Sequence, residues 1–211
     1  MKARRAPAAK ATGTRVNYLP GDERIKQIVK TTAQLFTRQG YFETTTRQIA
    51  EACGITSGTL YHYIKAKDDL LAMFADLLTD EFGKFEKGIR KELQDATPES
   101  ALKKTVLGFV LLIDDIQDMV LFWYEESKNL DETHLQRMTE VDLQVMSLFR
   151  QIVELGQKKG QFKVKDAVVA SYAIKMMCDT WALKRWYLHR LYSVEQYAAQ
   201  CAEIALTIAR G

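Results

Sequence analysis

Residues 45–71 read TTRQIAEACGITSGTLYHYIKAKDDLL, and this stretch decides the fold. Thr45 suits the N-cap of a short helix, because Gln48 stands three residues later and can return a hydrogen bond to the capping residue. Gly54 marks a tight turn, since glycine adopts a positive φ at little cost. Thr56 is a second N-cap. The pattern predicts a helix-turn-helix, whose second helix is suited to a DNA major groove.

Longer helices are predicted on both sides of this motif. Apolar residues recur at helical spacing from about Asp22 to Gln39, and again from about Lys67 to Leu93. At about 1.5 Å per residue, the second of these helices is on the order of 40 Å long. It is long enough to connect the helix-turn-helix to the rest of the chain.

The remainder of the sequence is helical in pattern, and no alternating strand pattern occurs. Proline at a first helical position, a closing glycine and a Ser-x-x-Gln capping box mark several helix ends. We therefore predict an all-α protein of about nine helices. The predicted helices of this part cover residues 98–115, 118–128, 131–159, 166–189 and 193–210.

Composition limits the class of protein. The three cysteines are far apart and form no CxxC pair, which indicates reduced thiols on helix faces. No apolar run reaches the roughly 18 residues of a membrane-spanning helix, and the N-terminal segment lacks the apolar core of a signal peptide. We expect a cytoplasmic protein.

The charge is unevenly distributed. Residues 1–70 contain 12 Lys/Arg and 6 Asp/Glu, a balance of +6, whereas residues 71–211 have a balance of −3. Basic charge is thus concentrated beside the helix-turn-helix, where DNA phosphates would lie. Residues 1–20 are basic and alanine-rich. Two interpretations stay open for them: an arm that contacts DNA, or an inert solubilising tail.

Over residues 22–71 the chain resembles the TetR family of bacterial one-component transcriptional regulators. The resemblance implies a basic arm at 1–21, a DNA-binding head at 22–67 and a ligand-binding and dimerisation domain at 68–211. It also implies a repressor that a small effector releases from a palindromic operator. The matching residues are Ala33, Leu35, Phe36, Gly40-Tyr41, Thr45-Thr46, Ile49-Ala50, Gly54-Ile55, Gly58-Thr59-Leu60-Tyr61, Tyr63 and Lys67.

The same resemblance implies which residues contact DNA. Arg47 would reach a phosphate or a guanine edge, and Tyr63 and Lys67 would bind phosphates near the start of the long helix. His62 is left as a packed or solvent-facing residue. The expected DNA-binding residues are Thr46, Arg47, Ser57, Gly58, Thr59, Tyr61, Tyr63 and Lys67.

Specific binding normally requires two heads at fixed spacing, which implies a homodimer. The helix predicted at 166–189 is apolar around much of its circumference, and the last helix has an alanine-containing stripe. Both are candidates for the dimer interface. The alternative is that they pack only within one chain.

An aromatic and methionine-rich set lies between the long helix and the last two helices. Helical spacing alone allows an ordinary core, whereas the family resemblance favours an apolar effector pocket. Residues 179–197 also resemble family members that respond to fatty acyl-CoA or related thioesters. Four nearby cations, Lys175, Lys184, Arg185 and Arg190, would either meet an anionic group of the effector or be solvated. The predicted pocket residues are Phe109, Met119, Phe122, Trp123, Met146, Phe149, Met177 and Trp181.

Two other classes of function are weighed. An enzyme is disfavoured, because the three histidines are far apart and no HExxH, GxSxG or glycine-rich phosphate loop is present. We expect no cofactor and no metal site. A helical adaptor that binds protein instead of DNA is the remaining alternative, and it would bind no duplex at low salt.

Overall fold

The computed structural model describes residues 21–92 and 96–211, and all regular structure in these ranges is helical. The predicted arm at 1–20 and Leu93 lie outside the described residues. The ten α-helices of the described residues are α1 Gly21–Gln39, α2 Thr46–Ala52, α3 Ser57–Leu60, α4 Asp69–Glu92, α5 Pro98–Asp115, α6 Gln117–Glu126, α7 Glu132–Lys158, α8 Ala167–Leu183, α9 Arg185–Leu188 and α10 Val194–Arg210. A 3₁₀ turn at Ser127–Asn129 separates α6 from α7.

The predicted caps of the helix-turn-helix are confirmed. The Gln48 amide donates to the Thr45 hydroxyl at 3.2 Å, and the Thr45 amide donates to the Gln48 side chain at 2.8 Å. The Thr56 hydroxyl accepts from the Thr59 amide at 3.0 Å. Gly54 turns the chain between the two helices with φ 66°. These bonds fix the angle at which α3 leaves α2.

Other predicted helix ends are also confirmed. Thr97 caps α5 with Pro98 at the first helical position, Asp131 caps α7, and Ser193 forms a capping box with Gln196. Gly160 follows α7 with φ 70°. The helix predicted over residues 166–189 is interrupted. In the structure α8 ends at Leu183, and the short helix α9 begins at Arg185. The described residues therefore contain one helix more than the nine that the sequence indicates.

The head and the larger helical part share one continuous apolar core. Phe36 of α1 packs on Phe122 of α6 with ring centroids 5.3 Å apart, and Phe74 of α4 lies 4.8 Å from the same ring. The α6 helix thus lies between the head and the larger helical part and contacts both.

The α10 helix packs mainly inside its own chain, against α5 and α8. Ala198, Cys201 and Ala205 are buried in this packing. Their small side chains allow the helix backbones to approach closely. Much of the stripe that we considered for a dimer interface is therefore occupied within the chain. All three cysteines are free and buried.

Candidate functional site

The outer face of α2 and α3 is rich in exposed hydroxyl groups. The hydroxyls of Thr46 and Tyr61 lie 3.1 Å apart and join the two helices on the solvent side. Ser57 and Gly58 are exposed, and the position next to Gly58 is open, since an added Cβ would meet only the Thr56 hydroxyl at 3.8 Å. As far as the described residues show, the Gly58 position leaves room for another molecule to approach the α3 backbone.

The other predicted DNA contacts on this face have local partners. The Arg47 side chain is largely exposed and lies 3.4 Å from Glu51, a weak surface ion pair that is easily exchanged. The hydroxyls of Thr56 and Thr59 are 2.9 Å apart. His62 is exposed, whereas Tyr63 is half-buried against the core.

Lys67 is held by the protein itself. Its ammonium donates to the main-chain carbonyls of Tyr41 at 2.9 Å, Phe42 at 3.4 Å and Thr44 at 3.1 Å. The Tyr41 hydroxyl in turn donates to Asp68, and burial together with that carboxylate raises the pKa of Tyr41. The loop between α1 and α2 is thereby tied to the start of α4. Tyr41 is buried, whereas the neighbouring Phe42 is 68% exposed.

A cavity that is partly open to solvent lies among α4, α5, α6, α7 and α8. Its volume is about 70 Å³, within a wider gap of about 530 Å³ that includes open solvent. Its wall is mostly hydrocarbon and aromatic. The lining residues are Leu78 and Phe82 of α4; Phe109, Leu112 and Ile113 of α5; Ile116, Val120, Trp123 and Tyr124 at and within α6; Met138, Val141, Asp142 and Val145 of α7; and Lys175 and Asp179 of α8.

A charged cluster forms one part of this wall. The Lys175 ammonium lies 2.5 Å from Asp142 and 2.7 Å from Asp179, and its side chain is only 5% exposed. The Tyr124 hydroxyl donates to Asp179 at 2.6 Å. This cluster joins α6, α7 and α8 across the cavity. A buried cation needs such partners, because an unpaired charge in an apolar environment is costly.

Burial and the neighbouring charges together set the pKa values of this cluster. Burial by itself would lower the pKa of Lys175, but the two carboxylates outweigh it and hold that pKa above its ordinary value. Burial raises the pKa of Asp179 in spite of the neighbouring ammonium. Burial and the Asp179 carboxylate raise the pKa of Tyr124. Near neutral pH the lysine is therefore a cation and the tyrosine a neutral donor.

Two of the eight predicted pocket residues, Phe109 and Trp123, line the cavity. The other six lie elsewhere in the core. Phe122 is on the side of α6 that packs against the head, and Phe149 stacks edge-on behind Phe109 with centroids 5.2 Å apart. Met119 is buried. The remaining three residues that do not line the cavity are Met146, Met177 and Trp181.

Trp181 belongs to a separate aromatic cluster. Its ring stacks on Tyr197 at 5.1 Å and on His189 at 4.2 Å, and its indole N–H donates to Asp114 at 2.7 Å. Of the four cations near the pocket segment, only Lys175 lines the cavity. Lys184 and Arg190 are exposed, and Arg185 forms an ion pair of 2.5 Å with Asp118.

The sequence contained a signal for the charged cluster that the pattern analysis missed. Lys175 and Asp179 stand four residues apart in a helix that is otherwise apolar, so they lie on one face and can pair. Asp142 had no comparable signal, because α7 carries polar residues at many positions.

One helix connects the cavity to the head. Val120, Trp123 and Tyr124 of α6 line the cavity, and the opposite side of α6 packs on α1 through Phe122. At the start of α6, the Asp118 carbonyl accepts from the Thr37 hydroxyl of α1 at 3.4 Å. The α6 helix therefore contacts both the cavity and α1.

A further exposed surface is apolar. Val168, Val169 and Tyr172 at the start of α8 and Trp186 and Tyr187 of α9 are all about half exposed or more. A set of this size on neighbouring helices is typical of an interaction surface. In the described residues no helix is long and apolar enough to cross a membrane, and no group of metal-ligating side chains was found.

Comparison with known proteins accounts for both halves of the molecule. A family model described as bacterial regulatory proteins of the tetR family matches residues 28–73. A second model, described as the tetracyclin repressor-like C-terminal domain, matches residues 95–209. The chain is similar to the transcriptional repressor KstR2 of Rhodococcus jostii, with 29% identity over 164 residues that cover 76% of this chain and 78% of that protein.

Two solved structures have the same fold. AibR, in complex with isovaleryl coenzyme A and operator DNA, has a TM-score of 0.70 and 22% identity, and the match covers 86% of this chain and 97% of that one. FadR of Bacillus subtilis, in complex with stearoyl-CoA, has a TM-score of 0.68 and 19% identity, with 86% and 97% covered. At these identities the likeness concerns the fold alone.

Proposed function

This chain belongs to the TetR family of transcriptional regulators, and from that premise we propose that it is a dimeric repressor that a small apolar or acyl effector releases from a palindromic operator. The observation that carries the proposal is the exposed, hydroxyl-rich face of the capped helix pair α2 and α3. Such a face fits a major groove, because short side chains allow the α3 backbone to approach the base edges.

On this proposal, Ser57, Gly58 and Thr59 face the bases, while Thr46 and Tyr61 contact phosphates or thymine methyl groups. Arg47 exchanges its weak pairing with Glu51 for a phosphate or a guanine. Tyr63 and Lys67 lie at the edge of the interface. Lys67 contacts a phosphate only if it gives up one of its carbonyl partners, so its main effect on DNA binding is to hold the loop before α2 in position.

Dimerisation is supported by the apolar surface of α8 and α9. Val169 and Trp186 are two of its most exposed members, and burying them against a second copy would remove that surface from water. A two-fold arrangement would place two heads on adjacent half-sites, about one DNA turn of 34–36 Å apart. Because α10 packs largely inside its own chain, we assign most of the interface to α8.

The cavity is the proposed effector site. Its apolar lining suits an acyl chain or a similar hydrophobic body. The solved relatives AibR and FadR hold isovaleryl coenzyme A and stearoyl-CoA, which supports an acyl thioester as the effector of this chain. Occupation would push α6 away from α8, and α6 would carry the displacement to α1 and the head. A tenfold change in operator affinity needs a difference of only about 1.4 kcal/mol between the two states.

The proposal is tested by capturing operator DNA. Purified protein is mixed with sheared genomic DNA from its source, and the bound fragments are sequenced. A few fragments that share one inverted repeat are the expected result. Uniform recovery of all sequences would contradict a specific operator, and absence of binding at low salt would favour the adaptor alternative.

A further inference from the structure

The charged part of the cavity wall restricts the kind of effector group that can lie against it. Three lining residues carry charge, namely Asp142 of α7 and Lys175 and Asp179 of α8. With both carboxylates ionised, this wall has a net charge of −1. Apart from the Tyr124 hydroxyl and the Trp123 indole N–H, the other lining side chains are hydrocarbon, aromatic or thioether.

The hydrogen-bond donors of the charged cluster, Lys175 and Tyr124, are already engaged. The Lys175 ammonium contacts Asp142 at 2.5 Å and Asp179 at 2.7 Å, with the Tyr124 oxygen 3.5 Å away. The Tyr124 hydroxyl donates to Asp179. A carboxylate offers about four acceptor positions, so the charged cluster retains acceptors for a ligand while its donors are taken. Asp142 is the more accessible carboxylate, since its side chain is 24% exposed and that of Asp179 is 2% exposed.

Building on the proposed effector site, we propose that the effector group that reaches this wall is a hydrogen-bond donor, either a cation or a hydroxyl, and not an anion. An incoming carboxylate or phosphate would meet a net negative cluster whose own donors are already engaged. The low dielectric of the cavity strengthens that repulsion. A coenzyme A thioester meets this condition only if its acyl chain occupies the cavity and its phosphates stay outside.

The alternative is an anion that takes the place of Asp142 beside Lys175. That exchange would leave the Asp142 carboxylate without its cation and next to the anion that displaced it. Both effects oppose it. The two possibilities predict opposite preferences among ligands of equal length and different head group.

Three probes of one chain length distinguish them: octylammonium, octan-1-ol and octanoate, titrated into the full-length protein by calorimetry below their micellar concentrations and near neutral pH. We expect octylammonium to bind most tightly, octan-1-ol next and octanoate at least about tenfold more weakly than octylammonium. Octanoate binding as tightly as octylammonium, or more tightly, would overturn the inference and indicate displacement of Asp142.

Two matched variants locate the preference. Asp142→Asn keeps the shape of the wall and removes its net charge, so the ratio of the octylammonium and octanoate affinities should fall to within about threefold. Glu140→Gln removes the same charge from an exposed position of α7 and should keep the wild-type ratio. An unchanged ratio in Asp142→Asn would overturn the inference.

Failure of this inference is distinguishable from failure of the proposed function. If none of the three probes binds, the cavity is not an effector site and the inference falls with it. Operator binding by the effector-free protein is measured separately by the genomic capture and does not depend on the probes.

Discussion

The Lys67 ammonium lies 2.9 Å from the main-chain carbonyl of Tyr41 and 4.2 Å from the centre of the Tyr41 ring. The Lys67 side chain, just before α4, thus donates to carbonyls of the loop before α2 and makes a cation–π contact with the Tyr41 ring. From the sequence, Lys67 was expected to bind phosphate. The geometry adds a structural role that can be separated from phosphate binding by experiment.

Replacing Lys67 by methionine should lower the free energy of unfolding by about 1–3 kcal/mol, because the loop carbonyls lose a charged donor. Urea denaturation at one fixed protein concentration measures this loss. Lys65→Met is the matched control, since Lys65 is an exposed cation two residues away, and it should change stability by less than about 0.5 kcal/mol. Unchanged stability in Lys67→Met, with a salt slope of operator binding lower by about one, would instead identify a pure phosphate contact.

Tyr61→Ala should weaken operator binding at least about tenfold with the fold intact, since interface contacts of this kind contribute about 1–3 kcal/mol. Tyr61 is about half exposed, so its removal leaves no cavity in the core. Fluorescence anisotropy with a labelled operator measures the affinity, and urea denaturation checks the fold. Wild-type affinity for the variant would remove Tyr61 from the DNA interface.

The head could be predicted from the sequence almost residue by residue, because its determinants are local. Thr45 with Gln48, Gly54 and Thr56 each act within three or four residues, and the structure has the expected hydrogen bonds and the expected positive φ at Gly54. Such short-range chemistry needs no knowledge of how distant segments meet.

The cavity was predicted only in part, because its lining depends on how five helices pack. The sequence shows that Phe122 and Trp123 are aromatic. Their spacing does not show that Trp123 faces the cavity and that Phe122 faces Phe36 of α1. The sequence did not predict the break at Lys184, because residues 181–188 suit a continuous helix. The ion pair of Arg185 with Asp118 is a tertiary contact, which local sequence does not show.

Val169→Asp should convert the proposed dimer into monomers and thereby abolish operator binding. Val169 is 65% exposed at the start of α8, so a carboxylate there costs little in the monomer but is desolvated in a dimer interface. Sedimentation velocity measures the change in mass. Leu143→Asp on α7 is the control, since Leu143 is 62% exposed and lies outside the proposed interface. A monomeric wild-type protein, or a dimer that survives Val169→Asp, would contradict the assignment.

Gly156→Ala should destabilise the protein by about 1–3 kcal/mol, because overpacking forces side chains out of favourable positions. An added Cβ at Gly156 would lie 2.0 Å from the Phe162 ring, so the segment between α7 and α8 must shift. Gly88→Ala is the control within a helix, since no atom lies within 4 Å of its added Cβ, and it should stabilise by about 0.4–1 kcal/mol. Thermal denaturation of both variants measures the difference. A stabilising effect of Gly156→Ala would show that the Phe162 ring moves freely.

Lys175→Met should lower the free energy of unfolding by about 3–5 kcal/mol at pH 8, because it leaves the buried Asp179 carboxylate and the partly exposed Asp142 carboxylate without their cation. Burial already raises the pKa of Asp179 in the folded protein, and removal of the ammonium should raise it further. Between its ordinary and its raised pKa, the folded state holds a proton that the unfolded state lacks, so stability increases as the pH falls through the folded-state value. The deficit of the variant should therefore shrink between pH 8 and pH 5.

Urea denaturation at one protein concentration, repeated across this pH range, measures that deficit. A double variant, Lys175→Met with Asp179→Leu, separates the loss of the ion pair from the burial of an unpaired charge. Because replacing both partners by apolar groups is often neutral, the double variant should recover much of the stability at pH 8 and lose most of its pH dependence. A deficit that stays constant with pH in the single variant would show that water enters the cavity and solvates Asp142 and Asp179.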